Sequence, residues 1–256
     1  MNIVLLQTDI VWANPAANVE RAERLMDEMP GADLYVLPEM WATGFATQPE
    51  GIAEEEECAL SLQWMKTVAR EKDCAVCGSL AVKTSDGLFR NRNYFVTPDS
   101  VSYYDKHHLF SHGHEDRSFK AGEQRVVVEW KGVRFLLLTC YDLRFPVWSR
   151  WGRAGEYDTI LLVANWPSSR MLAWETLVRA RAIENQSYMI AVNRVGTDGQ
   201  GIDYEGGSVV IDPIGRTLAE GHKKVEQAIS GVLDMVSLRS MRQHFRVLDD
   251  RDQRNV

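Results

Sequence analysis

Three side chains able to share one reaction each follow a short apolar run in this sequence. Leu34 to Leu37 leads to Pro38-Glu39, Val101 to Tyr104 leads to Asp105-Lys106, and Phe135 to Leu138 leads through Thr139 to Cys140. Runs of this length read as buried strands, so a carboxylate, an amine and a thiol are all offered at strand ends, where the loop beyond leaves backbone N–H groups free to face a ligand. A thiol is mostly protonated at neutral pH; to work as a nucleophile it needs a base for its proton and a cation to favour the anion. Glu39 and Lys106 supply these. Glu39 would deprotonate Cys140, whose sulfur attacks a carbonyl, with Lys106 and the Tyr141 N–H holding the oxyanion. As an acid, Glu39 would then protonate a departing amine, and afterwards activate water against the thioester. The steps call for no metal and no cofactor. Taken singly, the three would be a turn carboxylate, a surface cation and a core thiol; only in combination do they point to catalysis.

The elements that must position them follow from periodicity. Asn2 to Gln7 is a strand, Asn14 caps a helix that Pro15 begins, and Val19, Ala22, Met26 and Met29 recur at helical spacing. The acidic run Glu54 to Glu57 is expected to open a second helix whose apolar face is Cys58, Leu62, Met65 and Ala69. Ala75 to Val82 and Asn93 to Val96 flank a Ser85-Asp86-Gly87 turn, so the sheet is mixed. The polar stretch from Ser111 to Gly122, carrying Glu115, is too long for a compact domain unless it has a job. Arg125 to Trp130 and Val133 to Leu138 pair around Lys131-Gly132, and Val147 to Gly155 reads as a short helix. Thr159 to Ala164 is a strand ending in Asn165-Trp166-Pro167, and Ser168 or Ser169 is expected to cap a helix reaching Asn185. Strand Tyr188 to Asn193, a Gly-rich loop from Gly196 to Gly207, strand Ser208 to Ile211, strand Ala228 to Leu233 and a charged tail complete the chain.

These segments resemble the nitrilase (carbon-nitrogen hydrolase) superfamily, on Pro38-Glu39, Lys106 with His108-Leu109-Phe110, and Cys140-Tyr141-Asp142-Leu143-Arg144-Phe145. The likeness continues through Asn165-Trp166-Pro167, Arg179 to Ala182, Asn193 to Gly196 and Asp212 to Gly215. It implies an α/β fold, an α-β-β-α sandwich of two mixed sheets flanked by helices, paired in a homodimer or higher homo-oligomer. It also implies a second glutamate after the lysine, placed at Glu115, orienting Lys106 or the substrate amide. The segments from Cys140 to Trp148 and Asn165 to Gly196 look most like the ω-amidases, which release ammonia from 2-oxoglutaramate or 2-oxosuccinamate. Such substrates end in a carboxylate, for which Arg170 is the candidate recogniser, with Phe45 and Trp166 as pocket walls. A nitrile hydrolase or N-carbamoyl-amine hydrolase would share the same three residues, and a catalytically silent binding member would be expected to have lost one.

Composition fits small-molecule chemistry. With 256 residues, 45% hydrophobic, and no linker or repeat, the chain reads as one domain over 1–256. The net charge of -7 argues against nucleic-acid or anionic-membrane partners. No signal peptide or membrane-length apolar run is read, and the four cysteines are expected to be reduced thiols of a cytoplasmic protein. Cys74 and Cys77 have C-x-x-C spacing, but on a strand they point to opposite faces, against a metal or redox role. His107, His108, His112 and His114 crowd one loop, where the Lys106 motif is the better explanation and no metal site is expected. Asp142 and Arg144 are expected to share one face of an extended segment and to pair or brace the Cys140 loop rather than touch substrate.

Overall fold

The structure is a computed structural model, and it describes residues 1–152 and 156–251. β1 (Asn2–Gln7) leads into α1 (Pro15–Glu28), whose first turn is capped by the Asn14 side chain accepting from the Ala17 N–H, as its sequence implies. β2 (Leu34–Val36), β3 (Glu54–Glu55), α2 (Leu60–Lys72), β4 (Ala75–Lys83), β5 (Phe89–Val96) and β6 (Val101–Asp105) follow. Then come β7 (Val127–Trp130), β8 (Val133–Thr139), α3 (Pro146–Ser149), β9 (Thr159–Ala164), α4 (Met171–Glu184) and β10 (Tyr188–Asn193). A ribbon of β11 (Val195–Thr197) and β12 (Asp203–Glu205) precedes β13 (Val209–Ile211), β14 (Thr217–Glu220), β15 (Gln227–Val232) and α5 (Met235–His244).

The strands make two mixed sheets, ordered β15-β1-β2-β4-β5-β6 and β14-β13-β10-β9-β8-β7, with β3 beside β4. At the centre of each the pairing is parallel, β1-β2-β4 in one and β8-β9-β10 in the other, with antiparallel strands outside. Both faces of both sheets are covered, which is why the strands read as unbroken apolar runs. In β8, Phe135 and Leu137 face the other sheet, meeting Ile3, Val36 and Phe95, whereas Leu136 and Leu138 face outward onto Trp174, Val178 and Ala182 of α4. On the far side, α1 and α2 bury Leu25, Met26, Leu62 and Met65 against Val4, Leu6 and Val76. The layers are therefore α-β-β-α. Cys74 and Cys77 do fall on opposite faces, the first under the helices and the second between the sheets.

Several elements differ from their sequence reading. The acidic run opens no helix: Glu54 and Glu55 pair with β4, Glu56 to Cys58 make a 3-10 turn, and α2 starts at Leu60. Neighbouring cations claim these side chains instead, Lys83 taking Glu55 at 3.1 Å and Arg92 pairing with Glu56, while Cys58 lies exposed outside the helix. The helix expected from Val147 to Gly155 is the single turn of α3, stopped where Arg150 turns extended and Gly152 takes φ +81; residues 153–155 lie outside the described residues. Neither Ser168 nor Ser169 caps α4, because both are spent in a 3-10 turn that ends at Arg170. The Gly-rich loop contains the β11–β12 ribbon, and β14 was not read at all. The charged tail holds α5, whose cap is Asp234, accepting from the Val236 and Ser237 N–H groups, and whose Leu238 closes one end of the core between the sheets.

Leu137 is fully buried in the strand that leads to Cys140. Leu137→Ala is expected to cost about 2–5 kcal/mol, as lost apolar transfer plus an unfilled cavity. Urea denaturation measures this; a loss below about 1 kcal/mol would mean that the packing between the sheets readjusts around the gap.

Candidate active site

Glu39 lies just beyond β2, on a stretch held to β4 by the Leu37 N–H donating to the Cys77 carbonyl at 2.7 Å and the Trp41 N–H to the Ser79 carbonyl at 3.1 Å. Between these anchors Met40 adopts φ +42, a left-handed conformation that costs a non-glycine residue about 1–3 kcal/mol unless its surroundings enforce it. Here the Ser79 hydroxyl oxygen accepts the Met40 N–H at 2.8 Å. The Glu39 side chain is thereby aimed inward and fully buried.

Glu39 Oε1 accepts from Lys106 Nζ at 2.8 Å and from Asn91 Nδ2 at 2.8 Å. Glu115 repeats the pattern, with Oε2 accepting from Lys106 Nζ at 2.8 Å and Oε1 from Asn91 Nδ2 at 2.9 Å. An ammonium and one amide NH2 thus bridge the same two carboxylates and close a ring. The remaining oxygen positions are also served: Asn165 N donates to Glu39 Oε2 at 2.9 Å and Phe110 N to Glu115 Oε2 at 2.7 Å. Ser79 Oγ donates to Asn91 Oδ1 at 2.8 Å and so fixes which end of that amide faces the carboxylates. The apolar runs of the sequence do not mark Asn91 or Ser79: β5 reads Phe-Arg-Asn-Arg-Asn-Tyr-Phe-Val, in which Asn91 is one polar residue among several.

Burial alone would strip Lys106 of its proton, but Glu115 and Glu39 outweigh it and hold the ammonium above its ordinary pKa. Glu115 is raised, first by burial and then by the neighbouring Glu39, with Lys106 opposing. Two carboxylates facing one cation leave the cluster short of positive charge, and Cys140 registers it. Burial and the Glu39 charge push its thiol well above the usual range, against a smaller pull from Lys106. At rest Cys140 is therefore a thiol beside a base.

Cys140 opens a one-turn 3-10 helix, Cys140–Arg144, directly at the end of β8, and it too has a left-handed backbone, φ +45. Asp142 braces this turn, as expected. Its Oδ2 accepts from the Thr139 N–H at 3.0 Å and the Tyr104 hydroxyl at 2.7 Å, and its Oδ1 from the His108 N–H at 3.0 Å. Arg144 departs from expectation: the segment is helical, not extended, so it turns away from Asp142 and lays its guanidinium 4.8 Å over the Trp166 ring in the pocket wall. The crowded histidines are occupied by packing, His107 stacked on Trp148 at 3.7 Å and His108 on Phe145 at 3.8 Å.

Above the thiol opens a cavity of about 750 Å³ including its mouth. Cys140 and Tyr141 lie at its floor; Phe45, Trp166 and Arg170, all three named as candidates from sequence, line its walls together with Phe110, Arg144 and Tyr204. Cys140 Sγ reaches the Asn165 carbonyl oxygen at 3.7 Å, and Asn165 Nδ2 donates to the Glu39 carbonyl at 2.8 Å. Asn165 therefore ties the end of β9 to both the thiol and the carboxylate. Lys106, Glu39 and Glu115 sit beneath, sealed from solvent.

A paired-sheet sandwich whose strand ends gather a thiol, an ammonium and a carboxylate, with a second carboxylate from the loop after β6, under one pocket is the framework of an enzyme acting on carbon–nitrogen bonds. The chain belongs to the carbon-nitrogen hydrolase family, whose model matches residues 2–243. Among curated relatives it is 42% identical to the omega-amidase YafV of Escherichia coli, over 99% of this chain and 97% of that one. It is 33% identical to a 2-oxoglutaramate amidase of Bacillus subtilis, over 97% and 96%. A solved CN-hydrolase superfamily protein from Xanthomonas campestris, bearing an arsenic adduct in its active site, superposes with a TM-score of 0.95 at 38% identity, covering 100% of this chain and 98% of that one.

Lys106→Met removes the cation shared by two buried carboxylates and is expected to destabilise the fold by about 3–5 kcal/mol at pH 8. In the variant Glu115, already raised by burial in the parent, loses the opposing pull of Lys106 and rises further, so the folded variant binds more protons and the deficit shrinks as pH falls toward 5. Urea titrations across that range test this, and a deficit independent of pH would contradict it.

Proposed function

We propose that the protein is an ω-amidase that hydrolyses the terminal amide of short 2-oxo dicarboxylic acid monoamides, such as 2-oxoglutaramate and 2-oxosuccinamate. The observation that carries this reading is a thiol beside a buried carboxylate–ammonium ring, at the floor of a pocket walled by aromatics and two arginines. The names of the relatives favour the same substrate class.

In this reading Glu39 takes the Cys140 proton as Sγ attacks the amide carbonyl, and Lys106 Nζ with the Tyr141 N–H stabilises the oxyanion. Glu115 holds Lys106 in place. Glu39 passes its proton to the nitrogen as the C–N bond breaks, releasing ammonia and leaving a thioester. Glu39 then draws a proton from water, whose oxygen attacks the thioester; the acid departs and the thiol is restored. Because the resting thiol is neutral, proton transfer and attack belong to one step rather than to a preformed ion pair. A nitrile or N-carbamoyl substrate could use the same three residues, but the cationic walls favour an amide with an anionic far end.

We further propose one catalytic domain over residues 1–256, self-associating through the outer face of α4. Leu172 there is 80% exposed and Ile183 48%, and the two line one surface depression with Thr176 and Arg179. The four cysteines are free, in keeping with a reducing cytoplasm, and among the described residues no helix is long and apolar enough to cross a membrane.

Cys140→Ala is expected to lower ammonia release from 2-oxoglutaramate by at least about 10³-fold with an unchanged circular dichroism spectrum. Turnover within about tenfold of the parent would remove Cys140 as nucleophile. Leu172→Glu is expected to shift the protein to a smaller species in light scattering; an unchanged mass would take α4 out of the interface.

A further inference from the structure

No Asp or Glu is among the residues lining the pocket, in a chain that carries 36 acidic residues against 29 Lys and Arg. Two guanidiniums line it instead, those of Arg144 and Arg170. Other half-buried or buried arginines find carboxylates: Arg92 with Asp105, Arg134 with Asp158, Arg181 with Glu184 and Arg242 with Asp158. Among the described residues, Arg144 and Arg170 have no ion pair. Each rests on an aromatic face, Arg144 over Trp166 at 4.8 Å and Arg170 over Phe110 at 5.1 Å. Stacking satisfies the plane of a guanidinium and leaves its N–H edge free for an acceptor.

The two supports are connected. Trp166 carries Arg144 on its face and donates its Nε1–H to the Arg170 carbonyl at 2.9 Å, while Phe110 meets Tyr141, the neighbour of Cys140, edge-on at 5.1 Å. Two cations held in one pocket without a counter-charge repel each other, and an arrangement that keeps both is completed by a ligand with acceptors for each.

We propose that Arg144 is a specificity-determining residue that donates to the 2-oxo oxygen of the substrate while Arg170 takes the carboxylate. The pocket then selects amides whose far end is a 2-oxo acid over amides with a carboxylate alone. This division rests on the ω-amidase reading, and chain order favours it. Arg144 sits on the same one-turn helix as Cys140, four residues on, and in a 2-oxo acid monoamide the oxo carbon lies between the amide and the carboxylate.

Arg144→Met tests the assignment, because it keeps an apolar stem on Trp166 and removes the donors. Relative to the parent, kcat/KM for 2-oxoglutaramate is expected to fall about 10- to 100-fold, mainly through KM, and that for glutaramate, which lacks the oxo group, far less. Arg170→Met is expected to weaken both. An equal loss on the two amides in Arg144→Met would reduce Arg144 to a wall and overturn the proposal. Calorimetry with the products 2-oxoglutarate and glutarate supplies an arm that needs no turnover. The parent is expected to bind 2-oxoglutarate more tightly, and Arg144→Met to lose that preference; a parent without preference, or a variant that retains it, overturns the proposal. If the parent releases no ammonia from either amide the ω-amidase reading fails by itself, and product binding alone then decides Arg144.

Discussion

The structure depends on one buried ammonium shared by two carboxylates. Taking three charges out of water costs several kcal/mol each, and the cost is offset only if every lone pair and proton finds a partner at good geometry. Lys106, Asn91, Phe110 N and Asn165 N supply those partners to Glu39 and Glu115, all within 2.7–2.9 Å. The donors come from both sheets: Asn91 and Lys106 from the hairpin side of one, Asn165 from the end of β9 in the other. Satisfying the ring therefore requires the sheets to be packed in a single register, which couples the site to the core beneath it.

The same ring sets the chemistry. One cation against two carboxylates leaves the neighbourhood short of positive charge, so it does not draw Cys140 into a standing thiolate. A thiol whose pKa is raised, first by burial and then by the Glu39 charge, is suited to attack in which the proton leaves as the new bond forms. The two left-handed residues, Met40 next to Glu39 and Cys140 itself, place strain beside the buried carboxylate and at the thiol, held there by Ser79 and Asp142. Above this floor the guanidiniums of Arg144 and Arg170 line the pocket; in the proposed reaction they would draw in an anionic amide whose reacting end faces the Glu39–Lys106–Glu115 ring.

Much of this was legible in the sequence, for physical reasons that differ by element. The central strands could be read because both faces of each sheet are covered, which forces continuous apolar runs. Glu39, Lys106 and Cys140 stand out because each ends such a run; Glu115 follows only from the family resemblance and lies in the ring, and Arg170, Phe45 and Trp166, offered as substrate contacts, lie in the pocket wall. Asn91 was not legible, because an amide that bridges two distant carboxylates has no local pattern. Arg144 was misplaced because alternation holds only for extended backbone, and the chain turns helical at Cys140. Glu54 to Glu57 misled because a helix dipole is a weak attraction beside direct pairing with Lys83 and Arg92. The α5 helix was overlooked because its charged surface hid the Asp234 cap and the single buried Leu238.

Burial and the Glu39 charge hold the Cys140 pKa up, so in the proposed reaction Glu39, and not a preformed ion pair with Lys106, activates the thiol. The direct measurement is thiolate absorbance near 240 nm for the parent and Cys140→Ser over pH 6–10, the difference isolating Cys140. No Cys140-dependent thiolate is expected below pH 9, the ordinary cysteine value against which its pKa is raised. A difference signal already present at pH 7 would show a standing thiolate–ammonium pair and contradict it.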